Sequence, residues 1–148
     1  MKGSKGQPRL VIDTNVFVSG LISPSGFPAR ILQAVRENRA VHLVSDPIVE
    51  EYLRVLNYPR IRKFRNVTDI FLTEIAAYLT YEAERIEVAS TVTLSPDPDD
   101  DVFLATAVDG RASFIISGDR ADMLSLGQVH DIPIVTAREA MQRLGSRD

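Results

Sequence analysis

The chain alternates between short continuous apolar runs and longer stretches in which apolar residues recur at a helical spacing. Four runs rich in β-branched residues, at 10–12, 41–44, 113–116 and 132–135, have the length and composition of strands buried on both faces. Between them, Pro28 opens a helix to about residue 38 with Phe27, Ile31, Leu32 and Val35 on one face. Ser45 or Asp46 caps a second helix, opened by Pro47 and striped by Ile48, Tyr52, Val55 and Leu56. Asn66 or Thr68 starts a longer one to about 84, with Ile70, Phe71, Ile75, Tyr78 and Leu79 at helical spacing. A compact apolar helix follows Val102, a short one covers 121–126, and the last, from a Thr136/Glu139 capping box, stops at Gly145. Residues 16–26 hold Gly20, Ser23, Pro24, Ser25 and Gly26 and read as a loop, while the alternation over 86–94 reads as a short strand. Strands alternating with helices in this way predict a three-layer α/β/α sandwich around a central, mostly parallel sheet.

Composition narrows this picture without redirecting it. A chain of 148 residues, 45% hydrophobic and 25% charged, suits one globular domain, expected over 9–145 after a flexible tail at 1–8. No apolar run reaches the ~18 residues that span a bilayer, and no signal peptide is legible, so a cytoplasmic location is expected. The absence of cysteine excludes disulfides, thiolate zinc sites and thiol nucleophiles. The two histidines, His42 and His130, stand far apart in sequence, which leaves carboxylates as the stronger candidates for chemistry.

Those carboxylates fall at telling places. Asp13 directly follows the first apolar strand, and ligands of parallel α/β sheets bind beyond the carboxyl ends of strands. The pattern repeats at 113–119, where an apolar strand runs into Ser117-Gly118-Asp119, followed by Asp122. A capping role alone would account for either acid. The segment Asp97-Pro98-Asp99-Asp100-Asp101 opens a helix with more negative charge than a cap requires, and a hard cation with oxygen ligands would relieve the repulsion. On the helix of residues 46–56, Glu51 lies on the flank of the apolar stripe and Glu50 nearly opposite it, which makes Glu51 the better partner for Asp13. If the first and fourth strands are neighbours, Asp13 and Asp119 come together.

The formal charge of −3 hides an uneven distribution. Tyr58-Pro59-Arg60-Ile61-Arg62-Lys63-Phe64-Arg65 interleaves Arg60, Arg62, Lys63 and Arg65 with two aromatics, a composition that can hold phosphates by charge and bases by stacking. Ordinary solvated surface cations would explain it as well.

Taken in order, Asp13-Thr14-Asn15, Ser45 through Glu51-Tyr52 with Val55-Leu56, the acidic segment with Phe103-Leu104 and Ala107, and Ser117-Gly118-Asp119 resemble the PIN-domain ribonucleases. The likeness is strongest to the PIN-family toxin components of toxin–antitoxin systems and covers the chain from 9 to 144. It implies a PIN-like fold and an acidic quartet at Asp13, Glu51, Asp100 and Asp119, with Asp13, Asp100 and Asp119 on metal and Glu51 positioning metal or water. Asp97, Asp101 and Asp122 would be auxiliary acids, and Asn15 and Ser117 would orient ligands. Ser117 stands where the family often has Thr, Val102 where close relatives often have Lys, and the run of acids leaves Asp100 and Asp101 both eligible. Four carboxylates without Cys suit Mg²⁺ or Mn²⁺. The resemblance implies hydrolysis of single-stranded RNA to a 5′-phosphate and a 3′-hydroxyl, with an antitoxin protein and a second copy of the chain as candidate partners.

Two other readings stand beside it. A haloacid-dehalogenase-like phosphohydrolase also carries an Asp after its first strand, but needs a second Asp where this chain has Asn15, and a late Lys with no match here. The other is a catalytically weak PIN-fold binding module.

Overall fold

The computed structural model describes residues 6–93, 98–118 and 123–145. In chain order they form β1 (Arg9–Ile12), α1 (Thr14–Ile22), α2 (Phe27–Arg36), β2 (Val41–Val44), α3 (Asp46–Leu56), α4 (Pro59–Arg62) and α5 (Asp69–Tyr81). Then follow β3 (Glu84–Arg85), α6 (Pro98–Gly110), β4 (Phe114–Ile116), α7 (Met123–Leu126), β5 (Gln128–Val129), β6 (Ile132–Val135) and α8 (Ala137–Leu144). One sheet runs in the order β3-β2-β1-β4-β6-β5. All its pairings are parallel except the antiparallel β5–β6 edge.

Every residue of β2 and β4, and the last three of β1, are buried, as a sheet covered by helices on both faces requires. Helix α6 packs on β1, β2 and β4, while α1 packs on α2 and α3. From β1 the chain moves outward through β2 to β3, then returns past β1 to lay down β4 and β6 on the other side. The order therefore reverses between β1 and β4, and the crevice at such a switch point is where parallel α/β sheets bind ligands.

Much of the expected local structure is present, including the four apolar strands, the buried Ile48, Tyr52, Val55 and Leu56 of α3, and the reciprocal Thr136/Glu139 box. Several expectations are corrected. Residues 16–26 are mostly helix, not loop: Asp13 caps α1 by accepting from Val16 N at 2.9 Å, and Val16, Phe17 and Val18 are buried. Gly20, read as a loop residue, is a packing residue. A Cβ there would lie 2.8 Å from both Leu32 Cδ1 and the Pro28 carbonyl, so its absence lets α1 and α2 approach.

The strand expected over 86–94 is instead β3, and the described residues after it, 86–93, form none. The backbone N–H groups of Ala89 and Ser90 both donate to the Asp109 carboxylate, at 2.6 and 2.9 Å, which removes them from any ladder. A hydrogen bond from the Ser90 hydroxyl, with these two backbone bonds behind it, holds Asp109 below the ordinary carboxylate pKa. Helix α5 ends at Tyr81 rather than 84, and Ile70 is 74% exposed, outside its buried stripe. The β5–β6 hairpin carries no turn signal in the sequence, because its turn is made by His130 and Asp131 at φ +46° and +68° rather than by the usual Asn-Gly. Among the described residues no helix is long and apolar enough to cross a membrane.

Candidate active site

Asp13 stands where β1 ends and α1 begins. Its backbone N–H donates to the Ile116 carbonyl at 2.9 Å, fastening the ends of β1 and β4 together. Its side chain, 5% exposed, is divided between the start of α1 and the end of β4. Oδ1 accepts from Val16 N, while Oδ2 accepts from the buried Ser117 Oγ at 2.6 Å and from Gly118 N at 3.3 Å. A carboxylate taken this far out of water requires such donors to stay charged. One oxygen thus caps the first turn of α1 while the other is held by the residues that follow β4.

Helix α3 brings Glu51 to the same place. Thr14 Oγ1 donates to Glu51 Oε2 in a short hydrogen bond, and Arg54 Nη2 lies 3.7 Å from Glu51 Oε1, one helical turn on. Arg54 is held above its usual pKa chiefly by its hydrogen bond with Tyr58, and further by the nearby charges of Glu51 and Asp99. The cleft enclosed here has a volume of about 280 Å³. Asp13, Glu51, Asp99 and Asp100 supply its acids, and Arg54 and Arg60 its cations. Asn15, Tyr58 and Phe103 complete the walls that matter below.

Of the residues singled out from the sequence, Asp13, Glu51, Asp100 and Asn15 line this cleft, with Ser117 behind Asp13. Glu50 is exposed outside it, and Asp101 is not part of its lining. Asp97, Asp119 and Asp122 lie outside the described residues. The basic segment is divided: Arg60 borders the cleft, its guanidinium 5.7 Å from the Tyr58 ring centroid. Arg62 turns to Asp69 at 2.5 Å and to Asn57 at 3.0 Å, while Lys63 and Arg65 are exposed away from the cleft.

Thr14, Arg54, Tyr58 and Asp99 also line the cleft, beyond the site residues expected from the sequence. Arg54 could have been found from its i,i+3 spacing to Glu51, and Asp99 from the acidic segment. Thr14 had no signal beyond its place beside Asp13.

The donor chemistry fits a hard divalent cation, since the cleft offers carboxylate oxygens and the chain contains no thiol. Among the described residues, no group of three or more His, Asp or Glu side chains is gathered closely enough to hold an ion. The acids that line the cleft, Asp13, Glu51, Asp99 and Asp100, do not by themselves make up such a group.

His42 takes no part in it. The Tyr52 hydroxyl gives its proton to the Ile12 carbonyl in a short bond, so His42 Nε2, 3.1 Å away, must be the donor to Tyr52. That leaves Nδ1 to accept from the Tyr78 hydroxyl at 2.8 Å. Burial lowers the His42 pKa to about 3, and the ring is neutral. Burial raises the Tyr52 pKa well above its ordinary value, with Tyr78, Asp13 and Glu51 adding to the effect.

Comparison with known proteins bears on the same stretch. Residues 9–121 match the model of the PIN domain. The chain is also 33% identical over 125 residues to the uncharacterized protein MJ1680 of Methanocaldococcus jannaschii, a match covering 84% of this chain and 79% of that one.

Proposed function

The chain belongs to the PIN domain family, a nuclease-type fold, and from that premise we propose that it is a divalent-metal-dependent endoribonuclease acting on single-stranded RNA. The observation that carries the reading is Asp13, buried at the switch point, held by donors from the first turn of α1 and from the end of β4, and sharing a cleft with Glu51, Asp99 and Asp100. Such an arrangement concentrates negative charge beyond what folding needs, in the crevice where the fold binds ligands.

In this reading Asp13, Asp100 and Asp119 hold Mg²⁺ or Mn²⁺, and Glu51 positions metal or water. Asn15, Asp97, Asp101 and Asp122 assist. When bound, the ion lowers the pKa of a water and offsets charge on the phosphodiester oxygens. The chain's own contribution is orientation. Ser117 and Gly118 fix Asp13 Oδ2, and Thr14 fixes Glu51 by the bond to Oε2. Arg54, exposed at the rim between Glu51 and Asp99, moderates the repulsion between acids before RNA arrives. Arg60, with Arg62, Lys63 and Arg65 farther out, attracts the phosphate backbone. We further propose that the protein works in the cytoplasm as the toxin of a toxin–antitoxin pair. A partner that inserted Arg or Lys into the cleft would inhibit it by charge complementarity.

The test is cleavage of an unstructured RNA by protein stripped with EDTA and resupplied with Mg²⁺ or Mn²⁺, beside a duplex of the same sequence. Expected are metal-restored cutting of the single strand, products with 5′-phosphates, and loss of cutting in Asp13→Asn. Metal-independent cutting would contradict the proposal. Metal binding without any cutting would favour the binding-module reading.

A further inference from the structure

The acidic cleft does not end at Arg60. A second groove of about 440 Å³ continues from it, and Asn15, Val55 and Arg60 line both. One wall comes from the end of α1 and the turn after it, with Ile22, Ser23 and Pro24; the other comes from Ile61 and Phe64. Phe64 is 46% exposed, yet its surroundings are fixed: its N–H donates to Ile61 at 3.1 Å and its carbonyl accepts from Val67 at 3.0 Å. Asn66 Nδ2 then ties the same loop to the Leu21 carbonyl of α1 at 3.3 Å. The residues lining this groove include no carboxylate, in contrast to the acids beside it.

Resting on the nuclease reading above, we propose that this groove is a nucleotide subsite that takes one base flanking the cleaved phosphodiester, stacked on Phe64. Three features together specify such an occupant. An apolar slot with an aromatic platform accepts any base face. A guanidinium stands at the junction with the acidic cleft, where the phosphate joining the two nucleotides must pass. The absence of acids spares the backbone there the repulsion it meets over Asp13 and Glu51. Double-stranded RNA, whose bases are already stacked, cannot fill the slot, so the groove also supplies a physical origin for a single-strand preference.

The experiment uses the full chain and an unstructured RNA octamer cut at one bond, with a single abasic residue placed in turn at each position. In the parent protein, the abasic residue at one position next to the cut is expected to raise KM about 10-fold, the size of one stacked base. Phe64→Ala should raise KM on the intact octamer by a similar factor with kcat held, Phe64→Trp should restore it, and the abasic residue should cost Phe64→Ala nothing further. The same losses should appear as weakened binding in an Asp13→Asn background, by fluorescence anisotropy. An unchanged KM in Phe64→Ala, or losses from the variant and the abasic residue that multiply independently, would overturn the subsite while leaving the nuclease reading intact. A groove that serves a protein partner instead would give that result. Undiminished cleavage by Asp13→Asn, with the Phe64 and abasic losses unchanged, would strike the assignment of Asp13 and not the groove.

Discussion

Lowering the pH from 7 to 4.5 separates a structural His42 from a catalytic one. The ring is fully buried between Tyr78 and Tyr52, and its pKa falls from 6.5 to about 3 on folding. Above pH 6.5 it is neutral in both states and pH has no hold on stability through it. Below 6.5 the unfolded chain takes up a proton that the folded protein refuses, so stability falls as pH falls, until the folded value is reached. The slope is about 1.4 kcal/mol per pH unit, or about 3 kcal/mol lost by pH 4.5, a large part of a domain stability of roughly 5–15 kcal/mol. Asp109, held below its usual pKa, loses its own contribution only as pH falls through the carboxylate range, below this window. The assay is urea unfolding at constant ionic strength at pH 7.0, 5.5 and 4.5, with the His42 ring resonances followed by NMR. His42→Gln should be less stable at pH 7, with Tyr52 and Tyr78 robbed of their partner, and should lack the slope. A ring signal that titrates with a midpoint between 6 and 7, or a parent stability flat across the window, would refute the reasoning.

Other expectations follow from single contacts. Ser117→Ala removes a charge-assisted hydrogen bond to a buried carboxylate, worth about 1.5–3 kcal/mol, and should weaken metal-dependent cleavage about 10- to 100-fold, with Ser117→Thr close to the parent. Gly20→Ala should lower stability by about 1–3 kcal/mol in thermal unfolding, because the new Cβ meets the Pro28 carbonyl, which cannot rotate away. Gly118→Ala meets nothing within 4 Å and should leave stability near the parent's.

The parts of the fold visible in the sequence are those decided locally. Continuous β-branched runs gave β1, β2, β4 and β6, and the spacing of Ile48, Tyr52, Val55 and Leu56 gave the buried face of α3. Helix α1 escaped because its Gly20 serves a contact with α2 that lies 12 residues on at Leu32, and a glycine needed for close approach looks the same in sequence as one needed for a turn. The shortness of β3 was decided by Asp109, whose carboxylate captures backbone donors about 20 residues away. At the site, Asp13 was legible as an acid at a strand end, and Glu51 as the inward member of a pair. The bond from Thr14 to Glu51, and the placing of Arg54 between Glu51, Asp99 and Tyr58, depend on how α1, α3 and α6 meet, which no local pattern encodes.

The most direct measurement of the central claim is a manganese anomalous difference map from crystals grown at a Mn²⁺ concentration that supports RNA cleavage. It should show an ion in the cleft about 2.1 Å from an Asp13 oxygen, a typical distance for a small hard cation on a carboxylate. Manganese bound elsewhere, with none at Asp13 in protein that still cuts, would contradict it.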